Sequence, residues 1–222
     1  MKKIRVAIDG PAGAGKSSVS RLTAEKLGYS YIDTGAIYRA LAVFMGETGA
    51  EEHDKIRELL KNFEVSFKIE NGVNRVFLNG REVTSEIRSE TISMKASSIS
   101  SIPFVREALF NMQRKYAEIG GVVMEGRDIG TVIMPDAELK IFLTASPEKR
   151  AKRRMLELEA KGLKVGFDKL VEEIKERDFK DSTRAVSPLK QAEDAVLLDN
   201  SDINLEQTVD LIVRYAKERG AE

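Results

Sequence analysis

The chain has 222 residues, enough for one domain with a sizeable core or one domain carrying insertions. Its 36 basic and 36 acidic residues cancel, which argues against a protein that coats nucleic acid, since such binding runs on an excess of Lys and Arg. It has no cysteine, so disulfides, thiol chemistry and thiolate metal sites are excluded. Met1-Lys2-Lys3-Ile4-Arg5 leads straight into a strand with no long apolar signal region, and no apolar run approaches membrane-spanning length. A cytoplasmic protein with no membrane partner is expected.

In chain order, a short buried strand over Lys3–Ile8 is followed by Gly10-Pro11-Ala12-Gly13-Ala14-Gly15-Lys16-Ser17, which fits G-x-x-x-x-G-K-[ST]. A helix then runs from Ser17 to Leu27, with Val19, Leu22 and Leu27 at helical spacing. Strand, glycine-rich turn and helix start build an anion cradle: glycines let the backbone curl round a phosphate, and the loop and helix N–H groups point at it. Gly10 to Ser17, with Ser18, are the candidate ATP ligands; Lys16 supplies a point charge for the outer phosphates and Ser17 a hydroxyl for Mg²⁺.

Further strands are expected at Tyr29–Asp33, Gly121–Glu125, Leu139–Leu143 and Ala195–Asp199, alternating with helical segments. That pattern predicts an α/β fold of the P-loop NTPase type, a parallel sheet flanked by helices. One stretch interrupts it. Phe63–Ile69, Arg75–Leu78 and Glu82–Thr84, separated by Glu70-Asn71-Gly72 and Asn79-Gly80, read as a small antiparallel meander inserted into the array. Helices follow near Glu90–Ser100 and Pro103–Ile119. Residues 147–181 read as two charged helices joined flexibly at Lys161–Gly166, and the last helix carries the stripe Leu205, Val209, Ile212, Val213 and Ala216, with Asn204 and Gln207 placed to cap it.

Three groups could recognise a second phosphorylated ligand. Asp33-Thr34-Gly35-Ala36-Ile37-Tyr38-Arg39 lies at the carboxyl end of a strand, where ligands sit in open α/β sheets; Thr34 can cap the following helix and face an anion, and Arg39 can supply a bidentate fork. An ordinary cap with a solvated arginine is the equal alternative. Glu125-Gly126-Arg127-Asp128-Ile129-Gly130-Thr131 follows an apolar strand and sets an Arg-Asp pair among glycines. Arg177, Asp181 and Arg184 are spaced to share one helical face, as a surface ion-pair group also would be.

GPAGAGKSS, DTGAIYR, EGRDIGTV, the basic stretch Arg150 to Arg154, KERDFKDSTRAVSPL and the meander occur in the order found in bacterial cytidylate kinases. The chain resembles that family over essentially its whole length. The resemblance implies a single P-loop kinase domain over residues 1–222. Within it lie a CMP-binding region at 34–118, which carries the insert near 63–100, and a helical lid at 147–181. It implies transfer of the γ-phosphoryl group of MgATP to CMP and dCMP by a monomer. Thr34, Arg39 and Arg127 match the ligands of the CMP phosphate; Thr34 stands where the family often has serine, and the hydroxyl survives. Ser97, Arg106 and Asp128 match the readers of cytosine, and Arg177, Asp181 and Arg184 match the sugar contacts. A phosphate monoester is largely ionised near neutral pH and needs no strong base, so catalysis is expected from positioning and charge, through Lys16, Arg127 and the lid candidates Arg150, Arg153 and Arg154. Asp33 either holds Mg²⁺ through water or caps the strand end. His53, the single histidine, is expected at a solvated helix start.

Three rivals stand against this reading, one of them a nucleotide-binding module without catalysis, against which the intact lysine, serine and arginine sets speak. A kinase of the same architecture could act on UMP or another small metabolite. A GTP-driven switch would need N-K-x-D and D-x-x-G, and neither string occurs.

Overall fold

A computed structural model describes residues 3–70, 73–118, 120–160 and 162–221. The strands β1 (Arg5–Asp9), β2 (Ser30–Asp33), β6 (Val122–Gly126), β7 (Leu139–Thr144) and β8 (Val196–Asp199) form one sheet in the order β2-β6-β1-β7-β8. β1 runs parallel to β6, with Val6 opposite Val123, and parallel to β7, with Val6 opposite Leu139. β6 is buried along its whole length, and β1 in all but its first residue. Such continuously buried strands are what a parallel sheet covered on both faces demands.

The chain divides into two compact units. The larger comprises the described residues up to Tyr31 and from Ala117 onward. Its core sets Ile4, Val6, Ile8, Val123, Leu139 and Ile141 against α1 (Lys16–Leu27) and α8 (Leu205–Glu218), which contribute Val19, Ala24, Val209, Ile212 and Ala216. Asn204 and Gln207 form the expected capping box. Leu205 is exposed rather than part of the buried stripe, since as the first helical residue it precedes the turn that meets the sheet; Thr208 takes that inward place. The charged stretch forms α6 (Pro147–Glu159) and α7 (Phe167–Thr183). The two helices share a small seam of Ala151, Leu158, Leu170, Val171 and Ile174. Lys161, at the start of the expected joint, lies outside the described residues.

The smaller unit spans residues 32–116. It contains α2 (Thr34–Thr48), α3 (His53–Leu60), the antiparallel sheet β3 (Val65–Glu70), β4 (Val73–Leu78) and β5 (Arg81–Glu82), then α4 (Glu90–Ile99) and most of α5 (Pro103–Glu118). Ile37, Leu41, Val76, Leu78, Val83, Ile99, Val105 and Leu109 build a second core. Asn79 and Gly80 both have positive φ, 46° and 82°, the twist that a two-residue hairpin turn needs. The Asn71-Gly72 turn and Ile119 lie outside the described residues. His53 opens α3 on the surface, its ring edge-on to Phe104. No helix among the described residues is long and apolar enough to cross a membrane.

The turn out of β1 tolerates no side chain. Gly10 has φ 151°, and a Cβ there would lie 1.9 Å from the Leu143 carbonyl oxygen on β7. Gly10→Ala must therefore push apart two adjacent strands at the sheet centre. It is expected to cost roughly 2–4 kcal/mol of unfolding free energy. Gly28→Ala, at φ 65° with nothing within 4 Å, is expected to cost about 1 kcal/mol. Urea melts of the two variants check the contrast; equal losses would contradict it.

Candidate active site

In the larger unit the phosphate loop closes on its own lysine. Lys16 is buried at the first turn of α1, and its Nζ donates to the Pro11 carbonyl at 2.8 Å. Gly15 precedes the helix in a left-handed conformation, φ 86°, leaving the first N–H groups of α1 without a side-chain cap. Burial, with the positive charges of Arg127 and Arg177, lowers the Lys16 pKa to about 7, against the pull of Glu125 and Asp9. A cation so far desolvated gains most from a doubly charged partner. Ser17 and Ser18 are exposed beside it.

The loop is held from outside by carbonyl capture. Arg150 is buried, and its guanidinium donates to the carbonyls of Ala145 (2.9 Å) and Ala12 (2.9 Å) and to both oxygens of Asp178 on α7 (3.1 and 2.6 Å). Arg153 donates to the side chain (3.0 Å) and carbonyl (2.7 Å) of Asn200, and the Asn200 amide donates to the Ala14 carbonyl at 3.0 Å. Two of the three lid arginines thus brace the phosphate loop through its carbonyls. Arg154 pairs with Glu157 on the open face of α6.

The loop after β6 faces a set of opposite charges from α7 and beyond. Arg127 Nε donates to Asp181 at 2.8 Å, and Arg184 lies 3.7 Å from the Asp128 carboxylate while donating to the Ser187 carbonyl at 2.6 Å. Burial alone would raise the Asp181 pKa; the Arg127 pair, with Arg177 and Arg184, outweighs it and holds the carboxylate ionised. The expected Arg127-Asp128 pair thus meets Asp181 and Arg184 of the second expected group; Arg184 does so from extended backbone beyond α7, which ends at Thr183, and not from a helical face shared with Arg177 and Asp181, while Arg177 acts on both Lys16 and Asp181 through its charge.

In the smaller unit, Asp33 and not the expected Thr34 caps α2, because Thr34 is already the first helical residue; Asp33 accepts from the Ala36 N–H at 3.0 Å, and its other oxygen takes Arg39 at 2.6 Å. Thr34 is buried in the same first turn. Arg106, on α5, donates to the Ser100 carbonyl at 3.0 Å and lies 5.6 Å over the Tyr38 ring; Ser97 sits half-buried on α4.

Several functional groups escaped the sequence reading. Asp9, Asp178 and Asn200 were not singled out, because a polar residue at a strand end or on a charged helix does not name its partner; Glu125, which heads the Glu125–Thr131 segment, was given no role of its own. Glu125 accepts from the Tyr31 hydroxyl. Asp9 accepts two main-chain N–H groups of the loop after β6.

The donor set suits a magnesium ion held chiefly by phosphate oxygens and water. Ser17 offers an exposed hydroxyl on the first turn of α1, both Asp33 oxygens are already engaged, and among the described residues no cluster of three or more acidic or histidine side chains makes a cage.

Asp178→Ala leaves the buried Arg150 guanidinium with carbonyl partners only. The expected loss is about 2–4 kcal/mol of stability, measured by urea unfolding. Glu157→Ala, which breaks only the exposed Arg154 pair, is expected to change it by less than about 1 kcal/mol.

The fold is shared with a solved structure of an uncharacterized protein from Eubacterium ventriosum, at a TM-score of 0.54 and 16% identity over 97% of this chain and 99% of that one. In sequence the chain is 51% identical over 215 residues to the cytidylate kinase of Caldicellulosiruptor saccharolyticus, covering 96% of this chain and 95% of that one. It is 46% identical over 229 residues to the cytidylate kinase of Parabacteroides distasonis, covering both chains completely. The family model for cytidylate kinase matches residues 6–218, and with these likenesses along the same stretch that carries the phosphate loop and the Arg-Asp turn, the chain belongs to the cytidylate kinase family.

Proposed function

We propose that the chain transfers the γ-phosphoryl group of MgATP to CMP and dCMP, giving ADP and CDP or dCDP. The observation that carries this reading is the charge cluster of the larger unit. Lys16 closes on the phosphate loop, and beside it stand two pairs of opposite charge, Arg127 with Asp181 and Arg184 with Asp128. Such an array suits a monophosphate that must be brought to a triphosphate against their mutual repulsion.

On this reading Gly10 to Ser18 cradle ATP, with Lys16 on the outer phosphates. Thr34, Arg39 and Arg127 take the acceptor phosphate. Arg177, Asp181 and Arg184 take the sugar. Ser97, Arg106 and Asp128 read cytosine: its exocyclic amino group needs an acceptor such as Asp128 or Ser97, and its ring nitrogen and carbonyl need a donor such as Arg106. Uracil reverses two of these valences and would leave buried groups unpaired.

Transfer is in-line and direct. The acceptor phosphate is already a dianion near neutral pH, so no side chain has to remove a proton. What the protein supplies is alignment and fixed positive charge. Lys16 and Arg127 carry that charge in this proposal; Arg150 and Arg153 keep the loop in shape, and Arg154 remains the lid cation able to swing inward. Bound magnesium, with Ser17 as its protein ligand and Asp33 at most through water, would neutralise charge on the phosphates. The reading carries with it a cytoplasmic monomer, which light scattering in solution checks.

Lys16→Ala is expected to lower kcat by about 10²- to 10³-fold without lowering the unfolding midpoint. Coupled ADP-release assays should show CMP preferred to UMP by about 10²-fold or more in kcat/KM. UMP outpacing CMP would overturn the acceptor assignment. Asp128→Ala should erode that preference while leaving ATP binding near its original strength.

A further inference from the structure

Asp9 closes β1, behind three buried apolar residues, and is itself 5% exposed. No chemical role has yet fallen to it, although it stands directly before Gly10. Its two oxygens serve two different amides: Oδ1 accepts from the Ile129 N–H at 2.8 Å and Oδ2 from the Gly130 N–H at 2.7 Å. Those amides directly follow Arg127-Asp128. They open a single wide helical turn, residues 129–133, in which the Asp128 carbonyl accepts from Val132 (2.9 Å) and Ile133 (3.2 Å) and the Ile129 carbonyl accepts from Met134 (2.6 Å). The leading N–H groups of such a turn have no partner within it. Asp9 is that partner.

The approach is close enough to constrain the neighbours. A Cβ on Gly130 would lie 3.4 Å from Asp9 Oδ2 and 3.2 Å from Lys140 Cδ. The direction of Asp128 follows from the turn it initiates, with φ −141° and ψ 25°. Burial, then the nearby Asp128 charge, raises the Asp9 pKa to about 6, while the two N–H bonds and Lys16 hold it from rising further. A buried carboxylate with both oxygens committed in this way is a rigid link between β1 and the turn after β6.

We propose that Asp9 is a positioning residue for acceptor selection, fixing the Arg127-Asp128 turn against the start of the phosphate loop through the Ile129 and Gly130 amides. Recognition of the pyrimidine then depends on Asp9 far more than recognition of the triphosphate does. This rests on the reading of Asp128 as a reader of the base.

The test is Asp9→Asn, alone and combined with Asp128→Ala. The carboxamide has one oxygen for two N–H groups and sets an NH₂ against the other. Expected for Asp9→Asn are a 10- to 100-fold fall in kcat/KM for CMP, roughly a tenfold fall in the CMP/UMP ratio, and ATP affinity by calorimetry within about twofold of the original. In the Asp128→Ala background, Asp9→Asn should shift the ratio no further, because both changes act on one contact. If Asp128→Ala leaves the ratio untouched, the base-reading assignment falls. If Asp128→Ala lowers the ratio but Asp9→Asn does not, or if the two lower it additively, the role of Asp9 falls. Equal losses for CMP and ATP with an unchanged ratio would mark plain structural support and likewise overturn it. Should Asp9→Asn not fold, amide exchange in the unmodified protein decides. Ile129 and Gly130 should exchange at least about 10³-fold slower than in a free peptide without any nucleotide, and exchange within tenfold of the peptide rate would refute the link.

Discussion

Buried cations that stand close together repel one another, and the charges around the phosphate loop are arranged against that repulsion. The Lys16 pKa is lowered first by burial and then by the positive charges of Arg127 and Arg177. The offset comes from carboxylates interposed one by one: Asp181 against Arg127, Asp128 near Arg184, Glu125 and Asp9 within reach of Lys16. The Arg184 and Asp128 side chains are 9% and 7% exposed, and Lys16, Glu125 and Asp9 are buried, so each charge depends on the opposite one beside it.

The same economy explains why the arginines divide into two kinds. Arg150 and Arg153 spend their donors on main-chain carbonyls of the phosphate loop, on Asp178 and on Asn200. A loop built of glycines needs such outside support, because its own side chains contribute almost none. Arg127 and Arg184 instead meet carboxylates that a phosphate could replace as partners. Arg150 also faces an acid, Asp178, and Arg184 also donates to the Ser187 carbonyl, so the two kinds differ in what they hold: the main chain of the phosphate loop in one case, the charges of the loop after β6 in the other.

Much of this was legible from residue order. The five parallel strands fall within a residue or two of where alternating apolar runs put them, and Asn79-Gly80 announced the hairpin. The phosphate loop and the Arg127-Asp128 turn were visible because glycine spacing and a strand end are local signals. The inward course of Arg150 was not, since α6 carries basic residues all round and nothing local says which one meets Ala12 and Asp178. Asp9 was hidden for the same reason: its partners lie 120 and 121 residues away, joined only by the parallel register of β1 with β6. Leu205 misled in the opposite direction, an apolar residue at the right period but one turn too early to reach the sheet. The wide turn at 129–133 had no signature in composition at all.

The placing of β1 in the sheet has a consequence for how the polypeptide is made. This first strand is the central one, yet its neighbours β6 and β7 are translated only after the whole of residues 32–116. The second core, whose residues all lie within that span, can condense on the ribosome while the opening strand still waits unpaired. Synthesis thus imposes an order on assembly, with the catalytic sheet completed late and its edge strand β8 added nearly last.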